Sequence, residues 1–306
     1  MRHPRAAAAV AAPAGELALA ILGIIGGSGL YDLPGLQEVR RETVRTPFGD
    51  PSDDYVRGRL GEQELVFLPR HGQGHRLTPS EINYRANIHG MKQLGVTHLV
   101  SVSAVGSMRE EIAPGHLVLP RQFLDRTTDR QRTFFGEGVA AHVAFADPVC
   151  PHLHDHLKAA CFAAGATVHP GGTYLCIEGP QFSTRAESEL YRSWHVDVIG
   201  MTGMPEAKLA REAELCFGTI ALATDYDCWH DAHESVTVAQ VVETMKRNVA
   251  LARDVLRTAA LVLHRLAART CDCPRALDHA VMTAPPHIPA AARERLSLLL
   301  GDRYRS

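Results

Sequence analysis

Residues 219–229, "TIALATDYDCW", end an apolar, β-branched run in two carboxylates one residue apart, Asp225 and Asp227. The run 219–223 predicts a strand covered on both faces. Side chains alternate along a strand, so both carboxylates share a face if the strand carries through them. Two neighbouring carboxylates repel, and one of them tends to keep a proton near neutral pH. Such a pair can donate to one ring nitrogen and accept from an adjacent amine, the pattern adenine presents at N7 and its 6-amino group. Taken alone, the segment fits a solvated turn at least as well.

Other strand ends carry anion donors. "GIIGGSGLYD" (23–32) follows an apolar run, and Gly27-Ser28-Gly29 is followed by Leu30, Tyr31 and Asp32. The third glycine of a dinucleotide fingerprint is missing, which counts against a nicotinamide enzyme. What remains is a glycine turn whose amides, with the Ser28 hydroxyl, suit a phosphate. Arg70 and His71 close another apolar run and offer a forked cation and a further donor. Ser103, Ala104 and Gly106 end a third, where small residues let backbone amides approach an anion. Thr202 precedes a helical pattern and reads by itself as an N-cap. Together these ends describe a cleft with phosphate at one end and an amino-purine at the other, at the carboxyl ends of the strands.

The elements that must position them form an α/β pattern. Strand-like runs lie at 19–25, 64–69, 97–103, 116–120, 173–177, 196–201 and 219–224. Helical periodicity covers 80–95, 205–215 and 236–267. Strands interleaved with helices predict a central mixed sheet flanked by helices. The expected organisation is a flexible tail (1–20), a catalytic domain (21–268) and a C-terminal linker with a last helix (269–306). The chain has 306 residues, 45% hydrophobic and 22% charged, with a formal charge of -2, as in a globular protein with no polyanion-binding field. No run reaches the ~20 apolar residues of a spanning helix, so neither membrane nor nucleic acid is an expected partner.

Five of the seven cysteines (Cys150, Cys161, Cys176, Cys216 and Cys228) sit in apolar or mixed surroundings and read as buried thiols of a reducing cytoplasm. Cys271 and Cys273 are spaced too tightly for an ordinary structural disulfide; two unpaired thiols are expected, with a strained redox pair as the alternative. His152, His154 and His156 alternate after Pro151, but a helix there would splay the rings, so no metal site is expected.

Eight blocks cover roughly residues 21–260 in order: "GIIGGSGLYD", "TPFGDPSD", "PRHGQGH", "PSEINYRANI", "AVGSMREEIAPGHLVLPRQFLDRT", "IEGPQFSTRAES", "MTGMPEA" and "ATDYDCW". Through them the chain resembles the trimeric nucleoside phosphorylases of the purine nucleoside phosphorylase superfamily, and within these the methylthioadenosine phosphorylase family. The resemblance implies a single-domain nucleoside phosphorylase fold. It implies reversible phosphorolysis of 5′-methylthioadenosine to adenine and 5-methylthioribose 1-phosphate, with inorganic phosphate as co-substrate and no metal or organic cofactor. By it, Ser28, Arg70, His71, Ser103, the Ala104 amide and Thr202 hold phosphate, Met201 lies under the ribose and Phe182 packs on the purine. Asp225 and Asp227 meet N7 and the 6-amino group. His142 falls on the 5′ side, and Val238, Val241 and Val242 match an apolar 5′ pocket that a neighbouring subunit helps close. The implied assembly is a homotrimer, with a hexamer as the alternative. Cys271-x-Cys273 resembles a Cys-x-Cys of archaeal members that takes part in disulfides.

Members acting on 6-oxopurines carry Glu where Ser183 stands and Asn where Asp225 stands, so these two residues favour adenine. Gly200 pulls the other way, since adenine-specific members often have Asn there. The remaining alternatives are phosphorylases for 5′-methylthioinosine, another purine nucleoside or 5′-halogenated deoxyadenosines.

Overall fold

The computed structural model describes residues 20–27, 29, 30, 33–230, 238–266 and 268–301, with the side chains of all of these except 238–242 and 264. The strands are β1 (Leu22–Gly26), β2 (Gln37–Glu42), β3 (Tyr55–Leu60), β4 (Gln63–Pro69), β5 (His98–Ser107), β6 (Leu117–Leu119), β7 (Gln122–Arg126), β8 (Val168–Pro170), β9 (Thr173–Ile177), β10 (Val198–Gly200) and β11 (Cys216–Tyr226). The helices are α1 (Tyr84–Gln93), α2 (Pro151–Ala163), α3 (Arg185–Ser193), α4 (Gly203–Glu212), α5 (Val238–Leu261), α6 (Ala290–Arg295) and α7 (Ser297–Leu300).

All strands join one sheet in the order β2-β3-β4-β1-β5-β10-β9-β7, with β11 on β5, β6 on β11 and β8 on β6. β4, β1, β5 and β11 run parallel, so their carboxyl ends open on the same side. β10 meets the end of β5 antiparallel, which makes the sheet mixed, as the interleaved pattern predicted. β5 is the pivot: its first half lies between β1 and β11, and its last residues lie between β10 and β11.

Alternation along these strands feeds two cores. Ile24, Ile220 and Leu222 pack in one cluster with Leu153 and Leu157 of α2 and with Val255 and Leu256 of α5. Ile25, Ala221 and Ala223 pack in the other with Ile88 and Met91 of α1 and Leu209 of α4. Each fully buried aliphatic side chain contributes about 1.5–3 kcal/mol, so helices on both faces hold the central strands rigidly.

The short exposed strand β2, "QEVRRE", has no apolar alternation and carried no signal in the sequence. β3, β7, β8 and the helix α3 were likewise unannounced, although α3 opens on a capping box of Thr184 and Glu187. Residues 268–285, expected as a linker, fold against the body: Leu277 and Ala280 are buried in the same core as α1 and α4. Proline content suggested a connector, yet here it punctuates short 3-10 turns. α2 disperses the three histidines: His152 bonds Thr270, His154 reaches the Leu119 carbonyl and His156 the Ala259 carbonyl.

Candidate active site

At the end of β11 the register with β5 slips between Ala223 and Asp225, so that Asp225 stands opposite Gly106. This bulge re-aims the strand end. A Cβ on Gly106 would lie 3.4 Å from Asp225 Oδ1 and 3.6 Å from the Asp227 Cβ, so both aspartates crowd the same glycine, although the strand stops at Tyr226 and regular alternation does not carry through them. The Thr224 hydroxyl lies 2.6 Å from Asp225 Oδ2, and Ser188 of α3 donates to Asp227 Oδ2 at 2.5 Å. Burial raises the Asp225 pKa above the usual carboxylate range; the Thr224 hydrogen bond opposes this, and the Asp227 charge adds to it. The pair therefore divides its work by environment: Asp225 is biased toward the protonated donor, while Asp227 is held as an acceptor by Ser188.

Three residues along β5 from Gly106, about 10 Å away, Ser103 Oγ is buried without a hydrogen-bond partner among the described residues, and the neighbouring Ala104 is exposed in mid-strand. Continuing the β5–β10 register brings the Met201–Thr202 turn alongside them. Thr202 precedes α4 but makes no side-chain cap bond, so its hydroxyl is not spent on the helix that its position suggested.

Arg70 follows β4, and its backbone N–H donates to the Gly26 carbonyl. Its guanidinium is only 2% exposed and forms a buried pair with Glu206 of α4, which is 1% exposed. Nε donates to Glu206 Oε1 at 2.5 Å and Nη2 to Oε2 at 3.1 Å; Ser101, Val102 and Ile25 accept the other bonds. One Nη1 N–H is left without an acceptor among the described residues. Arg70 is thus a fixed cation at the cleft floor more than a free phosphate fork. His71 donates from Nδ1 to the Leu77 carbonyl at 2.8 Å and stacks on His75. Burial, with Arg70 and His75 nearby, lowers its pKa to about 4, so it stays neutral with Nε2 unprotonated. Ser28 lies outside the described residues.

Between the two ends, Met201 packs so closely over Gly179 that a Cβ there would meet its sulfur at 2.5 Å. Arg130 holds this wall together by donating to the Met201, Met204 and Glu178 carbonyls and pairing with the Glu178 carboxylate. Phe182 is 85% exposed, whereas Ser183 Oγ is buried with no hydrogen-bond partner among the described residues. His142 is exposed beside the C-terminal segment, its N–H donating to the Ala280 carbonyl, and no hydrogen bond ties it to the other candidates. Val238, Val241 and Val242 fall in the first turns of α5, with their side chains outside the described residues.

Gly200 has a packing cause. A Cβ there would meet the Tyr174 hydroxyl at 2.0 Å and Val105 Cγ1 at 3.2 Å, so Tyr174 already fills the space a larger residue would need. The glycine reports on Tyr174 and not on the base, which removes the one sequence feature set against adenine.

Arg130, Glu206, Ser188 and Tyr174 escaped sequence reasoning. Glu206, directly after Pro205, sits as an acid in the first turn of α4, yet its partner lies 136 residues away.

A sequence profile described as the phosphorylase superfamily matches residues 21–260. The chain is 61% identical to an S-methyl-5′-thioadenosine phosphorylase of Geobacter sulfurreducens, over 92% of this chain and 98% of that protein. It is 55% identical to one of Koribacter versatilis, over 92% and 96% respectively. Among solved structures it resembles a methylthioadenosine phosphorylase from an antarctic soil metagenomic library (TM-score 0.88, 47% identity, covering 92% of this chain and 99% of that one). It also resembles a mutant adenosine/methylthioadenosine phosphorylase of Schistosoma mansoni in complex with adenine (TM-score 0.80, 34% identity, covering 87% and 100%). With a family match over residues 21–260 and relatives above 50% identity, this chain belongs to the phosphorylase superfamily.

Proposed function

We propose that the protein catalyses reversible phosphorolysis of 5′-methylthioadenosine to adenine and 5-methylthioribose 1-phosphate. The observation that carries this reading is the placement of Asp225 and Asp227 together at Gly106, about 10 Å along β5 from Ser103. Phosphate, held between Ser103, the Ala104 amide, Thr202 and the glycine turn with Ser28, attacks C1′ from below as the N9–C1′ bond breaks. The electron pair of that bond passes into the purine, and Asp225 delivers its proton to N7. Asp227 accepts from the 6-amino group. Arg70 supplies fixed positive charge, and neutral His71 accepts a phosphate proton at Nε2 or takes one up when the dianion binds.

Met201 forms the ribose floor, Phe182 and Ser183 border the base, and Val238, Val241 and Val242 line the 5′ group. An apolar wall there favours methylthio over hydroxyl by roughly 1–3 kcal/mol. Phe182 and His142 stand exposed in the single chain, which supports a homotrimer in which a neighbour contributes to closing each site. The proposal needs no metal or organic cofactor in the chemistry. A cytoplasmic setting, the expectation from cysteine usage, belongs to the same proposal; among the described residues no helix is long and apolar enough to cross a membrane.

The test is phosphate-dependent base release from methylthioadenosine, methylthioinosine, adenosine and inosine side by side. Adenine from methylthioadenosine, with little from adenosine, is expected. Hypoxanthine from the inosine analogues in preference would overturn the base assignment, and base release without phosphate would overturn phosphorolysis.

A further inference from the structure

β11 starts at Cys216, nine residues and about 30 Å from Asp225 at its other end. Three more cysteines from two other segments converge there. The Sγ atoms of Cys150, Cys216, Cys271 and Cys273 all lie within 4.8 Å of one another, and those of Cys216 and Cys271 are 3.5 Å apart. Sulfurs placed tetrahedrally at about 2.3 Å from one ion are about 3.8 Å apart, so the four thiols already stand close to the vertices of a single-ion site.

We propose that Cys150, Cys216, Cys271 and Cys273 bind one zinc ion in a closed, structural site that clips the C-terminal segment to the catalytic body. Four thiols with no open position select a soft, thiolate-preferring ion, and four sulfurs this close enclose one ion and not a cluster. The backbone organises the ligands in advance. The Cys150 N–H donates to the Phe217 carbonyl at 2.9 Å, tying the start of α2 to the start of β11. Leu277 N–H donates to Glu214 Oε1 at 3.1 Å, and Arg269 donates to the Glu214 carbonyl, so the Cys271–Cys273 segment is fastened two residues from Cys216.

A second observation concerns charge. Binding releases the thiol protons and leaves an anionic zinc–thiolate centre. Arg269 has a buried Nε with no partner among the described residues, and it lines a small cleft with Cys216, Cys271, His98 and His152. That guanidinium supplies the N–H donor and the positive charge that thiolate sulfur needs around it, and the cleft supplies a route for the ion. The clipped segment carries Leu277, Ile288, Ala292 and Leu296 into the core, so the ion secures packing that the helices alone do not reach. The sequence shows no short ligand motif here, since Cys150 and Cys216 lie 66 residues apart and Cys216 and Cys271 55 apart.

The test uses the full-length enzyme purified under reducing conditions without chelator. Elemental analysis is expected to find about one zinc per chain. Exchange for cobalt should produce the thiolate charge-transfer and d–d absorption of a tetrahedral site. Stripping the ion should lower the melting temperature, with zinc restoring it and magnesium not. The Cys271→Ser/Cys273→Ser double variant should hold at least about tenfold less zinc, whereas Cys161→Ser, a buried cysteine outside the cluster, should hold as much as the parent. Should the double variant not fold, the cobalt spectrum of the unaltered chain decides. Reduced protein that takes up neither zinc nor cobalt would overturn the proposal. So would cysteines found paired as two disulfides in enzyme isolated from cells without oxidation.

Discussion

The two ends of the proposed site solve opposite electrostatic problems. At the proposed phosphate end a cation, Arg70, is sealed from water and fixed by Glu206, Ser101 and backbone carbonyls, so its charge is present and immobile before any anion arrives. At the proposed base end two carboxylates stand together beside Gly106 at a bulged strand end, each with a hydroxyl partner, and burial, with the Asp227 charge adding to it, drives Asp225 toward its protonated form. The comparison teaches that binding an anion calls for a preorganised charge, whereas protonating a leaving group calls for an acid whose raised pKa keeps its proton in place until the base departs. Burial serves both: it strengthens the paired charge and weakens the unpaired one.

Breaking the base end should have the largest effect. Asp225→Asn removes the proton donor and should lower kcat/KM on methylthioadenosine by roughly 10²–10⁴-fold with the fold intact, as checked by steady-state kinetics beside circular dichroism. Unchanged turnover on the adenine nucleoside would remove Asp225 from the chemistry. At the phosphate end, Glu206→Gln leaves the Arg70 charge buried without its counter-ion and should cost about 3–5 kcal/mol of stability. Chemical denaturation measures it; a loss below about 1 kcal/mol would mean that the pair is weaker than its burial implies.

Acid–base titration sharpens the contrast. Because the Asp225 pKa is raised, the rate should fall as pH rises through a value above the ordinary carboxylate range, and Asp225→Asn should lose that limb of the kcat profile. His71 works in the other direction. Its folded-state pKa of about 4 lies below the ordinary histidine value of 6.5, so the stability it contributes is present above pH 6.5 and is lost as pH falls toward 4. Thermal melts between those limits, compared with His71→Gln, should show the difference narrowing at low pH; a constant difference would contradict a neutral buried imidazole. The smallest effect is expected at Ser188, whose hydroxyl orients Asp227. Ser188→Ala should cost about 1.5–3 kcal/mol of transition-state binding at most, read as kcat/KM, and should leave the phosphate KM unchanged.

Much of this was legible in the chain. The apolar runs that became β1, β4, β5, β6, β9, β10 and β11 are buried on both faces, and such strands announce themselves by composition. β2 and β7 alternate between exposure and partial burial or lie wholly exposed at sheet edges, and so left no pattern to read. Ser103, Ala104, Thr202, Asp225 and Asp227 stood out in the sequence as candidates because strand ends and small residues mark where ligands approach an α/β sheet. Arg70 stood out as a free fork, and the fold instead ties its guanidinium to Glu206, Ser101 and the Ile25 and Val102 carbonyls.

What the sequence determined by itself was the local chemistry: an apolar β11 that ends in Asp225 with Asp227 just beyond it, and the strand–helix periodicity that builds a two-faced mixed sheet. What only the tertiary structure decided were pairings between distant segments. Arg70 meets Glu206 across 136 residues, Tyr174 fills the space above Gly200, and Cys150, Cys216, Cys271 and Cys273 gather from three segments. The physical reason is range: periodicity records what neighbours a few residues apart need, whereas a buried charge or thiol finds its partner through packing that no local pattern encodes.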